Sequence, residues 1–181
     1  ILLNDGTGSF GAPILFPAGQ GAFELTTGDF DMDGDIDLAT ANFNASSVSV
    51  LLDKGNTVFT TSTILLGGAL LPQGIDAADL DGDGDVDLVT ANVVTGDVSI
   101  ILNLGNGTFA APVNIPAVSG AETVTAADLD GDGDLDLAVA SSTVNTVTLL
   151  RNNGNATFAP AGTTPTGTGP RFVTSADLDG D

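Results

Sequence analysis

The chain alternates short apolar segments with glycine- and asparagine-rich turns, and this arrangement repeats about every 49 residues. The first segment of each period holds small residues after one apolar residue, as in residues 25–28. The second is apolar or small on both faces, as in residues 36–42, which is typical of a strand covered on both sides. The third, as in residues 47–52, alternates like a half-buried strand. After a turn rich in Asn and Gly, the fourth opens on a recurring phenylalanine: Phe10, Phe59, Phe109 and Phe158.

Four antiparallel strands in about 49 residues predict the blade of a β-propeller, an all-β fold. A β-solenoid is the nearest alternative, but its turns are usually shorter than this unit. We expect three complete blades, over residues 22–72, 73–121 and 122–170. Residues 1–20 are expected to supply the third and fourth strands of a partial blade (1–21), and residues 173–176 the first strand of another (171–181). Propellers usually have about 4 to 8 blades, so we expect an incomplete ring and an internal fragment of a longer protein.

An acidic nonapeptide lies between the first and second segments of each repeat. It reads DFDMDGDID from Asp29, DLDGDGDVD from Asp79 and DLDGDGDLD from Asp128, and a truncated copy, DLDGD, starts at Asp177. Counted from its first residue, the loop has aspartate at every odd position, glycine at position 6 and an apolar residue at position 8. The apolar residue is expected to hold the loop against the strand behind it.

This spacing predicts a calcium loop, because calcium takes about six to eight oxygen ligands around a sharp glycine turn. The predicted ligands are Asp29, Asp31, Asp33, Asp35 and Asp37; Asp79, Asp81, Asp83, Asp85 and Asp87; and Asp128, Asp130, Asp132, Asp134 and Asp136. Position 7, which is Asp35, Asp85 or Asp134, is expected to act through its backbone carbonyl. Asp177, Asp179 and Asp181 are expected to form a partial site, which gives three complete calcium loops and one truncated loop.

Other interpretations of the loop are weaker. An EF-hand shares positions 1, 3, 5 and 6, but it needs glutamate at position 12, where this chain has Thr40, Thr90 or Val139. Magnesium or sodium is an alternative ion, although the strict octahedron of magnesium suits this ligand-rich loop less well. A solvated acidic turn that binds nothing needs no fixed carboxylate spacing.

Charge and composition narrow the function further. The net charge is −21, and 18 of the 22 aspartates lie in the four loops. Only three basic residues are present, so binding to the phosphate backbone of nucleic acid is excluded as a role for this segment. The chain has no cysteine for disulfides, and no apolar run long enough to insert into a membrane. With no His or Cys to serve as base or nucleophile, we expect no catalysis within these residues.

The acidic loops, together with SFGAP at residues 9–13 and TFAAP at residues 108–112, resemble FG-GAP/VCBS repeats, the family that includes the integrin α-subunit propeller. The resemblance covers essentially the whole chain. VFTT at residues 58–61 lacks the FG-GAP letters, and FAP at residues 158–160 is one residue short. The resemblance implies a calcium-binding β-propeller of a secreted or surface protein, with a location outside the cell or at its surface; no targeting signal lies in this segment.

The predicted function is therefore a calcium-stabilised scaffold that mediates binding or adhesion to an unidentified extracellular protein or glycan. The loops between the second and third strands, at residues 42–47, 93–97 and 141–145, differ among the repeats and are candidate partner contacts, or simply tolerant turns. A carbohydrate-binding propeller is an alternative, although the chain has no Trp or Tyr for stacking on sugars. A non-catalytic accessory module of a secreted enzyme is another alternative.

Overall fold

In a computed structural model of the protein, which describes residues 1–176, twelve strands form three antiparallel sheets of four strands each. No helix occurs among these described residues. In particular, nothing in this part of the chain has the length and hydropathy of a membrane-spanning helix. The prediction of an all-β fold with propeller-like blades of four strands is confirmed.

Each sheet is built from four consecutive strands. The first contains β1 (Ala22–Gly28), β2 (Asp37–Asn42), β3 (Ser47–Asp53) and β4 (Phe59–Leu65). The second contains β5 (Pro72–Ala78), β6 (Asp87–Asn92), β7 (Asp97–Ile101) and β8 (Val113–Pro116). The third contains β9 (Ala121–Ala127), β10 (Asp136–Ser141), β11 (Thr146–Asn152) and β12 (Phe158–Pro165). The strands lie side by side in chain order in every sheet, which is the meander expected of a blade.

The register places each acidic loop at the same end of its sheet. The pair Gly28 and Asp37 closes the hairpin of β1 and β2, and the equivalent pairs are Ala78 with Asp87 and Ala127 with Asp136. Because neighbouring strands are antiparallel, the turns between third and fourth strands lie at this end too. The loops between second and third strands lie at the opposite end.

Two apolar cores lie between adjacent sheets. Phe30 belongs to the core between the first and second sheets, where it packs with Leu88 of β6. Leu80 belongs to the core between the second and third sheets, where it packs with Leu137 of β10. The middle sheet is therefore covered by a neighbouring blade on each face, and this explains why its second strand, β6, is apolar or small on both faces.

The first strands of adjacent blades approach closely. A Cβ added to Gly74 of β5 would lie only 2.6 Å from the Cα of Thr123 in β9. The backbone N–H of Ile75 in β5 donates to a carboxylate oxygen of Glu24 in β1 at 3.0 Å. The small residues of the first segment thus allow these strands to meet at the inner side of the blades.

The two ends of the chain differ from the sequence expectation. Residues 1–20 do not form two strands; an isolated bridge joins Asn4 and Phe10, and the N–H of Gly11 bonds the carbonyl of Leu3 at 2.9 Å. No strand forms over residues 173–176. Among the described residues no further strand lies beside either segment to complete a ladder, and an unpaired segment is not a stable strand. The fourth strand of the second blade likewise begins at Val113 rather than at the predicted Phe109.

Candidate metal centres

Each acidic loop folds around the aspartate at its first position. In the first loop, the N–H of Gly34 donates to Oδ2 of Asp29 at 3.0 Å, and the N–H of Asp33 donates to Oδ1 of the same side chain at 3.2 Å. Gly34 has φ +93°, a conformation that residues with a Cβ rarely adopt, which explains the glycine at position 6. The same 3.0 Å bond joins Gly84 to Asp79 and Gly133 to Asp128.

The loops bring three carboxylates together in each repeat, with oxygens within 4.8 Å of one another. The groups are Asp29, Asp31 and Asp33; Asp79, Asp81 and Asp87; and Asp128, Asp130 and Asp136. Positions 1 and 3 converge in all three loops. The third member is position 5 in the first loop and position 9 in the other two. Nine of the fifteen predicted aspartates are therefore clustered, and the remaining six are not members of these groups.

Position 9 is the most deeply placed carboxylate of the loop. Asp87 is fully buried; its Oδ2 accepts the N–H of Leu80 at 2.9 Å and its Oδ1 accepts the N–H of Asn103 at 2.7 Å. Asp37 makes the same two bonds, to the N–H of Phe30 at 2.8 Å and to that of Asp53 at 2.7 Å. The side chain thus ties the start of the loop to the end of the third strand.

The side chain of position 7 lies against the turn between the third and fourth strands. A Cβ added to Gly105 would lie 2.7 Å from Oδ2 of Asp85, and one added to Gly154 would lie 2.7 Å from Oδ2 of Asp134. This orientation agrees with a ligand role for the backbone carbonyl rather than for the carboxylate. That role stays a prediction.

Burial and mutual repulsion raise the free energy of the ionised carboxylates in the clusters when no cation balances their charge. Burial is the main cause that raises the pKa of Asp87 to about 6, and the neighbouring carboxylates of Asp81 and Asp83 contribute to the same rise. Burial also raises the pKa of Asp81 and of Asp37. Two unit charges about 4 Å apart repel by about 1 kcal/mol in water and about 4 kcal/mol at an effective dielectric near 20. A bound cation would remove this cost.

A family model of FG-GAP-like repeats matches residues 29–90, 79–139 and 129–181. The chain belongs to the FG-GAP-like repeat family. Each match begins at or next to an acidic loop, so the sequence resemblance is confirmed. No curated protein matches the chain.

Solved structures similar to this FG-GAP chain include a lectin and a toxin pore. One is an Agrocybe aegerita lectin described as recognising non-reducing terminal N-acetylglucosamine, with a TM-score of 0.58 and 22% identity over 88% of this chain. The other is the Tc holotoxin pore of Photorhabdus luminescens, with a TM-score of 0.46 and 26% identity over 82% of this chain. The chain spans 44% of the lectin chain and 7% of the toxin chain. The likeness to the lectin supports the fold.

The FG-GAP loops lie across the seams between blades. Position 2 faces the following blade: Phe30 and Leu80 are buried, whereas Leu129 is 42% exposed. Position 8 faces the preceding blade: Val86 and Leu135 pack into the two cores, whereas Ile36 is 60% exposed. The expectation that position 8 holds the loop against the strand behind it is therefore wrong for Ile36, because no described blade covers that side.

Two basic side chains reach the FG-GAP loops, a role that the sequence interpretation missed. Lys54 contacts a carboxylate oxygen of Asp31, with Asp33 at 3.8 Å, and Arg151 contacts Asp130. At the places of Lys54 and Arg151 the second repeat has Leu104 and Leu102, and within residues 1–176 no base pairs with its loop. The sequence did contain a signal for this pairing, because Lys54 and Arg151 are two of only three basic residues and each lies at the end of a third strand.

The donor set fits calcium. Every clustered ligand is a carboxylate oxygen, the type that hard calcium prefers. In the first loop Oδ1 of Asp31 is buried without a hydrogen-bond partner, in a side chain that is only 8% exposed. A buried acceptor that lacks a donor is costly, and a cation would satisfy it. The predicted partial site at Asp177, Asp179 and Asp181 lies outside the described residues.

Proposed function

We propose that each of the three complete FG-GAP loops binds one calcium ion, and that calcium makes this propeller scaffold rigid enough to bind a partner outside the cell. The observation that carries the proposal is the buried, unpartnered Oδ1 of Asp31 within a carboxylate cluster that recurs in every blade. A turn that binds nothing has no reason to bury such an oxygen.

Calcium would act on stability through the position of the loops. Each loop joins the first two strands of one blade, and the first two loops also contact the next blade through position 2. A cation that offsets the repulsion within a loop therefore stabilises both a hairpin and a seam. Extracellular calcium modules bind with dissociation constants of about 10⁻⁴ to 10⁻³ M, which supports a scaffold that is stiff outside the cell.

We place the partner-binding surface at the end of the sheets opposite the calcium loops. The hairpins at residues 42–47, 93–97 and 141–145 lie there and differ among the repeats, while the calcium loops do not. Their tips are open to solvent; Asn44 is exposed, Val94 is 59% exposed and Val144 is 49% exposed. The partner is a protein or a glycan, and this segment itself is non-catalytic.

Carbohydrate binding is the second candidate. The chain shares its fold with a lectin that recognises N-acetylglucosamine, but fold alone does not carry a sugar site. The absence of Trp and Tyr removes the aromatic platforms that sugars usually stack on. Binding to a glycan array that survives changes at the three variable hairpins, but is lost on chelation, would favour sugar coordinated by calcium over a protein partner.

Thermal unfolding with and without calcium tests the proposal. Millimolar calcium should raise the midpoint relative to chelator, and an Asp79→Asn, Asp81→Asn chain should lose part of this rise, because ligands bound only to the folded state stabilise it. An Asp5→Asn chain is the matched control, since Asp5 lies in an exposed turn outside the loops. An identical midpoint in calcium and in chelator would overturn the proposal.

A further inference from the structure

We infer that Asn103 and Asn152 couple neighbouring calcium loops, so that calcium binds the FG-GAP chain cooperatively. The inference rests on the proposed function and goes beyond it, because independent loops would stabilise the blades equally well. Asn103 and Asn152 are positioning residues here: they contact the loop backbone and are not among the predicted ligands.

Asn103 joins the first and second loops. It lies two residues after the third strand of the second blade and is only 3% exposed. Its Nδ2 donates to the carbonyl of Phe30 in the preceding loop at 2.8 Å and to the carbonyl of Val86 in its own loop at 3.1 Å. Its backbone N–H donates to Oδ1 of Asp87 at 2.7 Å. Both hydrogens of the amide are thus used, one on each loop.

Asn152 joins the second and third loops by the same three bonds. Its Nδ2 donates to the carbonyl of Leu80 at 2.7 Å and to that of Leu135 at 3.0 Å. Its backbone N–H donates to Oδ1 of Asp136 at 2.8 Å, and the residue is 2% exposed. The repetition across both seams shows that the arrangement belongs to the repeat and not to one chance contact.

The loops complete a continuous chain of buried hydrogen bonds. Within the first loop the N–H of Phe30 bonds Asp37, and within the second the N–H of Leu80 bonds Asp87. The path therefore alternates side-chain and backbone groups, in the order Asp37, Phe30, Asn103, Asp87, Leu80, Asn152 and Asp136. An ion that fixes the carboxylate of Asp87 also fixes the backbone of Asn103, and with it the donor to the preceding loop. Buried hydrogen-bonded networks of this kind transmit coupling between sites.

The first repeat marks where the path ends. Asp53 stands in the place of Asn103 and Asn152, and a carboxylate cannot donate to a carbonyl. Its backbone N–H still bonds Asp37, and its side chain still accepts the N–H of Gly55 at 2.8 Å, as Asn103 accepts that of Gly105, but it has no amide hydrogens to donate across a seam. The coupled set therefore begins at the first loop and extends towards the third.

The test is a thermodynamic cycle measured by calcium titration calorimetry on the full chain. All chains carry Asp130→Asn with Asp132→Asn, which silences the third loop. One chain keeps the first and second loops active, and two others keep only one of them, because the other loop carries Asp→Asn at positions 3 and 5. The coupling factor is the overall two-ion binding constant divided by the product of the two single-loop constants. We expect a factor of about 5 or more, within the usual range for coupled sites.

Asn103→Ala should bring the coupling factor to about 1 while two ions still bind. The matched control is Asn114→Ala, which removes a bond of the same kind across the same seam, from Nδ2 to the carbonyl of Leu66 at 3.1 Å, far from the loops. This control should lower stability yet keep the coupling. A purely structural Asn103 would change the unfolding midpoint and leave the coupling factor unaltered.

Failure of this inference can be distinguished from failure of the proposed function. A coupling factor of 1 in the chain with native Asn103 overturns the inference, whether or not the Asn103→Ala chain folds, and leaves the proposed function standing. Absence of any calcium binding overturns both. Equal loss of coupling in Asn103→Ala and Asn114→Ala also overturns the specific role of Asn103.

Discussion

Leu80 and Leu129 occupy the same position of two FG-GAP loops in very different surroundings, and substituting them tests the seam architecture. Leu80 is 2% exposed and packs in the core between the second and third blades. Leu129 is 42% exposed. Leu80→Ala should therefore destabilise the chain strongly, and Leu129→Ala should do so weakly, although the residue change and the loop position are identical.

The magnitude follows from burial. Replacing a fully buried leucine by alanine costs about 2–5 kcal/mol, from lost transfer free energy and from the cavity left behind. A partly exposed leucine already contacts water and leaves no closed cavity, so we expect about 1 kcal/mol or less. Because about 1 kcal/mol shifts the midpoint of a domain of this size by about 2–4 °C, Leu80→Ala should lower it by about 4 °C or more.

Urea and thermal unfolding in saturating calcium measure the difference. Calcium is kept saturating so that a change in ion affinity does not enter the comparison. Equal losses of unfolding free energy for the two substitutions would refute the claim that position 2 is buried only where a following blade covers it. A larger loss for Leu129→Ala would refute it as well.

Three further predictions concern the loop end of the blades. Gly105→Ala should destabilise by at least about 1–2 kcal/mol in urea unfolding, because Gly105 has φ +81° and a Cβ would meet Asp85, whereas Gly167→Ala, in open space, should be nearly neutral. Lys54→Ala should tighten calcium binding at the first loop in low-salt calorimetry and destabilise the chain in chelator, since Lys54 is the counter-charge of Asp31 there; unchanged affinity and midpoint would contradict this. In chelator, the free energy of unfolding should fall as pH rises from about 4 through about 6. Burial raises the pKa of Asp87 to about 6, so the protonated carboxyl favours the folded state and is lost over that window. A rise in the thermal midpoint over the same window would contradict the raised pKa of Asp87.

The repeat and its strands could be predicted from the sequence because both depend on local pattern. Alternation and turn residues indicate strands, and the aspartate spacing indicates the loop, without knowledge of neighbours. The prediction of strands at residues 1–20 and 173–176 was wrong for the same reason. Their pattern is that of strands, but a strand also needs a partner beside it, which a local pattern does not contain.

The contacts between repeats could not be predicted. Asn103 bonds the carbonyl of Phe30 across 73 residues of chain, and a lone asparagine before a turn looks like ordinary turn chemistry. The pairing of Lys54 with Asp31, across 23 residues, depends on how the turn folds back over the loop. The sequence of one repeat therefore indicates the candidate ligands, but not the side chains that act on them from a distance.

Counting bound calcium tests the central claim most directly. Equilibrium dialysis followed by metal analysis should find three calcium ions per chain, one for each complete loop. Silencing any one loop by Asp→Asn at positions 3 and 5 should reduce the count to two. No bound calcium, or a count that does not change when a loop is silenced, would contradict the assignment of the three carboxylate clusters as calcium sites.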